Sequence, residues 1–270
     1  MTTPTVLSIA GSDPSGGAGI QADLKTASAL GAYGMAVITA STAQNTQTVA
    51  GVHEIPADFV ALQIDTLFAD ITPDAVKTGM LASAEIIEVV AAKAIEHSFR
   101  NLVVDTVMVA KSGDRLLPED AVQAMRQKLV PLAHVLTPNL PEAEDLLGRE
   151  LRGDDAIREA ARELQAMGAR NVVIKGGHRE GDTVTDVLFD GEAFHDFGAQ
   201  RIATTSTHGT GCTFASAIAT FLARGEPVPD AVSHAKEYLT EALKRAYPVG
   251  GGHGPVHHFW AQWDERSGDR

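Results

Sequence analysis

The residue types best suited to chemistry meet in the run Thr207-His208-Gly209-Thr210-Gly211-Cys212-Thr213, which precedes an apolar, helix-like stretch. Flexible backbone, free N–H groups, a hydroxyl and a thiol at a loop-to-helix junction form an anion site with a reactive group beside it. A second glycine-rich turn, Gly11-Ser12-Asp13-Pro14-Ser15-Gly16-Gly17-Ala18-Gly19, follows a strand-like run near the other end of the chain. Two such turns point to one crevice built from distant parts of the sequence. The first turn fits the dinucleotide fingerprint poorly, because residues 36–39, about twenty positions on, offer no acid for a ribose. It reads instead as a wrap around a small substrate or as a purely structural turn. No Walker A run and no Gly-x-Ser-x-Gly elbow occurs.

Other candidates stand at the ends of apolar runs. Lys175 closes Val172-Val173-Ile174 and is followed by Gly176 and Gly177, so it can meet a phosphate as a point charge or be an ordinary surface lysine at a turn. Asp105 closes Leu102-Val103-Val104, where a carboxylate needs a partner, water or metal. The loop after it carries Lys111, a second possible phosphate contact or a solvated lysine. Asn139 and Glu142, in Pro138-Asn139-Leu140-Pro141-Glu142, are three apart at a helix start. That spacing suits hydrated magnesium, a capping box, or both. Cys212 is the sole cysteine; it is either a small buried hydrophobe or a thiol whose pKa the helix start lowers. The histidines of the Gly250–Phe259 tail lack zinc spacing and fit an ordered segment packed on the body.

The elements that must position these groups alternate strand and helix. Strands are expected at 6–10, 36–41, 75–77, 101–105, 134–137 and 171–175, with a late hairpin at 184–189 and 193–197. Helices are expected at 20–30, 56–70, 83–97, 119–129, 154–167, 214–223 and 230–246, and the polar stretch 42–54 reads as a flap or short hairpin. Such alternation predicts a mainly parallel sheet covered on both faces, with the active residues at its carboxyl edge. No linker, charge block or repeat divides the 270 residues, so one domain is expected, with a frayed end at about 264–270.

Formal net charge is −13, which argues against a broad nucleic-acid footprint and leaves a locally bound anion open. The first residues lack the basic start and apolar run of a signal peptide, and no window is apolar enough to span a membrane. With one cysteine, no internal disulfide is possible, and a cytoplasmic location is expected.

Eight ordered motifs carry a resemblance. They are Ala10 to Lys25, Thr42 to Gln47, Val76 to Leu81, Val107 to Gly113, Thr137 to Ala143, Val173 to His178, His208 to Thr213, and Gly252 to Val256. From about Val6 to about Trp260 the chain resembles the hydroxymethylpyrimidine/phosphomethylpyrimidine kinases of thiamine biosynthesis, within the ribokinase-like superfamily. The resemblance implies a three-layer α/β/α sandwich with a small flap. It also implies two successive ATP-dependent phosphorylations of 4-amino-5-hydroxymethyl-2-methylpyrimidine, a magnesium requirement and a homodimer. By position it implies that Gly11, Ala18, Asp23, Gln44, Met80 and Val107 meet the pyrimidine. Gly209, Thr210, Gly211 and Cys212 then form the anion hole, with Cys212 as proton acceptor or close neighbour of the phosphoryl group. Lys175, Asn139, Thr210 and Gly211 face the nucleotide phosphates, and Asp105, Asn139 and Glu142 organise magnesium, partly through water. Thr106 departs from the family's usual proline, so that turn is expected to be looser or differently bonded. The rival readings are a pyridoxal or pyridoxine kinase, which stops after one phosphorylation, and a pyrimidine sensor without turnover.

Overall fold

The apolar strand residues alternate between two cores. Val6, Ala75, Val103, Val135, Val173 and Leu188 bury on one side, and Leu7, Val76, Val104, Leu136, Val172 and Val187 on the other. That double burial is what a parallel sheet covered by helices requires. The protein is seen as a computed structural model that describes residues 3–108, 117–178 and 181–263. Lys111 and the 264–270 tail lie outside the described residues.

The strands are β1 (Thr5–Ser12), β2 (Tyr33–Gln44), β3 (Val49–Glu54), β4 (Ala75–Thr78), β5 (Leu102–Val104), β6 (Val135–Leu136), β7 (Asn171–Ile174), β8 (Thr183–Phe189) and β9 (Phe194–Gln200). They form one sheet of order β3-β2-β1-β4-β5-β6-β7-β8-β9. The run from β2 to β7 is parallel, while β3, β8 and β9 are antiparallel additions at the two edges.

The helices are α1 (Gly19–Ala29), α2 (Ala57–Phe68), α3 (Ala84–Glu96), α4 (Glu119–Ala124), α5 (Leu140–Leu147), α6 (Gly153–Ala166), α7 (Thr210–Ala223), α8 (Val228–Lys244) and α9 (Trp260–Trp263). Residues of α1, α7 and α8 share the first core, and residues of α2 to α6 share the second. This is the expected three-layer α/β/α sandwich. Among the described residues no helix is long and apolar enough to cross a membrane.

Two elements differ from expectation in ways that have causes. The helix expected over 119–129 turns into a wider π-helix at Met125–Leu129, just before Pro131. Proline has no N–H with which to close the α pattern, and its ring crowds the carbonyl four residues back. Helix α7 begins at Thr210, four residues earlier than the apolar run suggested, so the glycine motif is itself its first turn.

The connection after β1 goes one way to β2 and the chain then returns across β1 to β4. The first glycine turn therefore opens at the switch point of the sheet, where open α/β sheets form their crevice. The expected flap is the hairpin of β2 and β3, in which Asn45 Oδ1 accepts from the Gln47 and Thr48 N–H groups. The Gly250–Gly254 segment packs on its tip. Gly252 N donates to Thr46 Oγ1 at 3.2 Å and His253 N to Thr46 O at 2.8 Å. The tail is thus ordered against the body, as expected, and His258 is buried beneath it. Burial pushes the His258 imidazole down to about 3, and Nε2 lies 3.1 Å from Thr213 Oγ1.

Candidate active site

The two glycine turns interlock. Gly19 has φ +55°, and a Cβ there would sit 2.3 Å from Gly11 O; Gly209 has φ +74°, and its Cβ would sit 1.8 Å from Gly17 O. Only glycine allows this approach. It brings the first turn of α7 against the first turn of the chain. The N–H groups of Thr210, Gly211 and Cys212 are left without helical partners, as at any helix start, whereas Thr213 N already reaches Gly209 O. Asp13 organises the junction. Its carboxylate accepts from Ser15 N, Gly17 N, Ala18 N and the Ser15 hydroxyl, and it meets His208 Nε2 at 2.8 Å. Burial alone would raise the Asp13 carboxyl, but the bonds from His208 and Ser15 bring it down to about 2.

A cavity of about 350 Å³ opens over this junction, along the carboxyl ends of the parallel strands. Gly11, Ala18, Gln44, Met80 and Val107 line it on the β2-β1-β4 side, and Gly209, Thr210, Gly211 and Cys212 line its middle. Asp105, Asn139, Glu142 and Lys175 follow past the ends of β5, β6 and β7. Beyond them Val184, Ala199, Ile202, Leu239 and Leu243 form an apolar slot between β8, β9 and α8, rimmed by the Lys236–Asp186 pair at 2.8 Å. The sequence reading missed that slot, and it also missed Asp13. Its residues come from a hairpin and a late helix whose patterns signal packing and nothing else.

The acidic residues and Lys175 form one buried cluster. Lys175 Nζ lies 2.8 Å from Asp105 Oδ1 and 3.8 Å from Glu142 Oε2. Burial would lower the Lys175 pKa, but Asp105 and Glu142 outweigh it and hold the ammonium above its ordinary value. Burial pushes the Glu142 carboxyl up, Lys175 pulls it down and Asp105 pushes it up again, leaving it raised. Asp105 Oδ2 is buried with no hydrogen-bond partner. The capping box is present as well: Asn139 Oδ1 accepts from Glu142 N at 3.0 Å, and Glu142 Oε2 accepts from Asn139 N at 2.8 Å. Thr106 is differently bonded rather than loose. It is buried, and its hydroxyl donates to Glu142 Oε2 at 3.0 Å.

Two expectations need correction. Asp23 does not line the cavity; it is buried behind it. Its carboxylate is held by Lys77 Nζ at 2.9 Å to both oxygens, by Ser8 Oγ at 2.5 Å and by Ser216 Oγ at 2.7 Å. Facing into the first core just past the glycine turn, it can reach only these partners. The helix start also does not lower the Cys212 thiol. Burial pushes it up to about 11; Lys77 and a bond from Gly19 N–H pull it down, and the Asp23 and Asp105 charges add to the rise. The balance favours the protonated thiol.

The chain matches the phosphomethylpyrimidine kinase family over residues 13–257. It belongs to that family. The thiamine biosynthesis bifunctional protein ThiED of Geobacter sulfurreducens is 55% identical over 262 residues, which cover 97% of this chain and 54% of that protein. The hydroxymethylpyrimidine/phosphomethylpyrimidine kinase of Escherichia coli K12 is 50% identical over 260 residues, 95% of this chain and 98% of that one. Among solved structures, pyridoxal kinase of Bacillus subtilis in its ADP complex superposes with a TM-score of 0.90 at 41% identity, covering 97% of this chain and 99% of that one. The chain thus spans about half of the bifunctional relative and nearly all of the other two. The fold is the ribokinase-like sandwich.

Proposed function

We propose that this protein transfers phosphoryl groups from ATP to 4-amino-5-hydroxymethyl-2-methylpyrimidine, first to the monophosphate and then to the diphosphate, in thiamine biosynthesis. One observation carries the reading. A single cavity holds a small polar-and-apolar ring subsite at Gln44, Met80 and Val107 and a charged cluster at Lys175, Asp105 and Glu142, on either side of the same helix start. That arrangement lets a ring hydroxyl and a nucleotide phosphate meet at the N–H groups of Gly209 to Cys212. The family and the kinase relatives, one of them bound to ADP, support the same reaction.

The geometry supports a role for each residue. Gln44 offers an amide donor and acceptor to a ring nitrogen and its amino group, and Met80 and Val107 wall the ring. The apolar slot of Val184, Ile202, Leu239 and Leu243 accepts the nucleotide base. Lys175 meets the phosphates as a fixed positive charge. The free N–H groups of the α7 start take up negative charge as it builds on the transferring phosphoryl. Magnesium fits the donor set, since the orphaned Asp105 Oδ2 is a buried carboxylate oxygen lacking a partner. Asp105 and Glu142 would hold it, with Asn139 placed for a metal-bound water; when bound, the ion neutralises phosphate charge. Phosphoryl transfer needs little removal of the nucleophile's proton beforehand. A thiol at about 11 therefore fits the role of close neighbour to the reacting hydroxyl better than that of base.

The test is a product assay by mass and phosphorus resonance with magnesium-ATP and the hydroxymethylpyrimidine, with pyridoxal in a parallel tube. Monophosphate followed by diphosphate is expected. Monophosphate alone with faster pyridoxal turnover assigns the protein to B6 vitamers. Ring binding without ATP turnover makes it a sensor.

A further inference from the structure

We infer that Asp13 and His208 fix which way round the Gln44 amide faces the ring subsite, and thereby select an amino-bearing ring edge over an oxo-bearing one. The inference rests on the pyrimidine reading above and deepens it to a rule of selectivity.

The hydrogens around Asp13 can be counted. Oδ2 of Asp13 accepts from Gly17 N at 3.1 Å and Ala18 N at 2.9 Å, and Oδ1 accepts from Ser15 N at 2.8 Å and its hydroxyl at 2.7 Å. A carboxylate ringed by donors has no hydrogen of its own to give. His208 Nε2, 2.8 Å from Oδ2, must therefore carry the hydrogen of that contact. His208 has little freedom to turn away. Its backbone N–H donates to Gly254 O at 3.0 Å, and its ring edge is packed so closely on Gly17 that a Cβ there would lie 2.4 Å from it.

Gln44 meets this ring edge, whose single Nε2 hydrogen is already given to Asp13 and which keeps no lone pair to accept an amide N–H. One end of its amide lies 3.4 Å from His208 Nε2, and the other lies 3.3 Å from Thr42 Oγ1. The structure places nitrogen toward His208 and oxygen toward Thr42. Both neighbours require the opposite rotamer, reached by a half-turn about the last bond that leaves the heavy-atom positions in place. A ring N–H cannot accept from an amide N–H. The single Thr42 hydroxyl hydrogen already serves Ser12 O at 2.9 Å, so Oγ1 can only accept from Gln44. Two independent partners thus turn the amide oxygen toward His208 and the amide nitrogen toward Thr42.

The amide oxygen and one N–H of Gln44 then remain for the cavity it lines, with the acceptor on the His208 side and the donor on the Thr42 side. A ring pairs with them when it shows a donor and then an acceptor, as an exocyclic amine beside a bare ring nitrogen does. A 4-oxo ring with hydrogen on that nitrogen shows the reverse order and meets two clashes.

The experiment begins with ¹⁵N resonances of the histidine rings in the whole protein, with His208→Met to assign the signal. Nε2 bearing the hydrogen is expected; a bare Nε2 overturns the inference. Calorimetric binding of the 4-amino ring and its 4-oxo counterpart follows. Wild type should favour the amino ring by at least ~10-fold, and His208→Met should shrink that ratio by about tenfold. His208→Gln, whose amide N–H reaches the same place, should keep the ratio. An unchanged ratio in His208→Met, or equal loss of both rings, overturns the inference. If His208→Met does not fold, Thr42→Val removes the other anchor and must shrink the ratio in the same direction. Wild type with Nε2 protonated that binds neither ring sinks the substrate class and leaves the amide orientation standing, so the two failures are separable.

Discussion

Two lysines stand on or just past parallel strands, and each sits on a buried aspartate. Lys77 lies in β4 against Asp23, with side chains 0% and 2% exposed. Lys175 follows β7 against Asp105, with side chains 14% and 1% exposed. The first pair is closed: Ser8 and Ser216 complete the Asp23 carboxylate. The second is left open, with Asp105 Oδ2 unpartnered and the ammonium facing the cavity. A buried charge pair with every lone pair filled ties elements together, here β1, α1, β4 and α7. One with a lone pair left over awaits something from outside. Satisfaction, rather than burial, separates the closed pair from the pair proposed to act on substrate.

The closed pair is tested at Lys77. Lys77→Met strands the Asp23 carboxylate and should lower unfolding free energy by about 3–5 kcal/mol, whereas Lys77→Met with Asp23→Leu should recover most of that in urea titrations. A single variant as stable as wild type would show that the closed pair ties nothing. Lys175→Met should instead cut kcat by ~10²–10³-fold, with a smaller loss of stability than Lys77→Met because the Lys175 ammonium opens on the cavity.

The acid limb of stability reads a second satisfied carboxylate, Asp13. Asp13 has its folded pKa depressed to about 2 from 3.8. Its contribution, about 2 kcal/mol, is present above pH 4 and is lost as pH falls toward 2, since the unfolded chain takes up the proton first. Asp13→Asn should flatten that limb in a pH series of unfolding curves.

The smallest effect belongs to Cys212, which lies between the two pairs. Its alkylation rate should climb about tenfold per pH unit through neutrality and show no plateau before about 11. Cys212→Ala should slow turnover only ~10-fold. A loss of ~10²–10⁴-fold confined to the first phosphorylation would restore it as base.

Much of this was legible in the chain. Asp105, Lys175 and both glycine turns stood out because a charged or flexible residue ending an apolar run has few structural excuses. Asn139 and Glu142 were legible as a capping box because that bond spans three residues. The failures share one cause. Asp23 was placed in the ring subsite by the family resemblance, whereas its partner Lys77, 54 residues away, holds it behind the cavity. The only hint of that pairing was a lysine inside the apolar Ala75–Thr78 run. The Cys212 pKa is a balance of burial and three remote charges, which no local pattern encodes. Asp13 and His208 are 195 residues apart, so neither announces the other.

The Gly250–Gly254 segment that packs on the flap has a consequence for how the protein comes to life. It closes over Thr46 across a separation of 206 residues, and the Asp13–His208 contact spans nearly as far. Contacts of such range form late in folding, because long loops must close before they are rewarded. A nascent chain with its β1-β2 half already emerged carries Gln44 before its neighbour His208 has been made. On the proposed function, ring binding would then report completion of the fold, because the proposed subsite needs both ends of the chain.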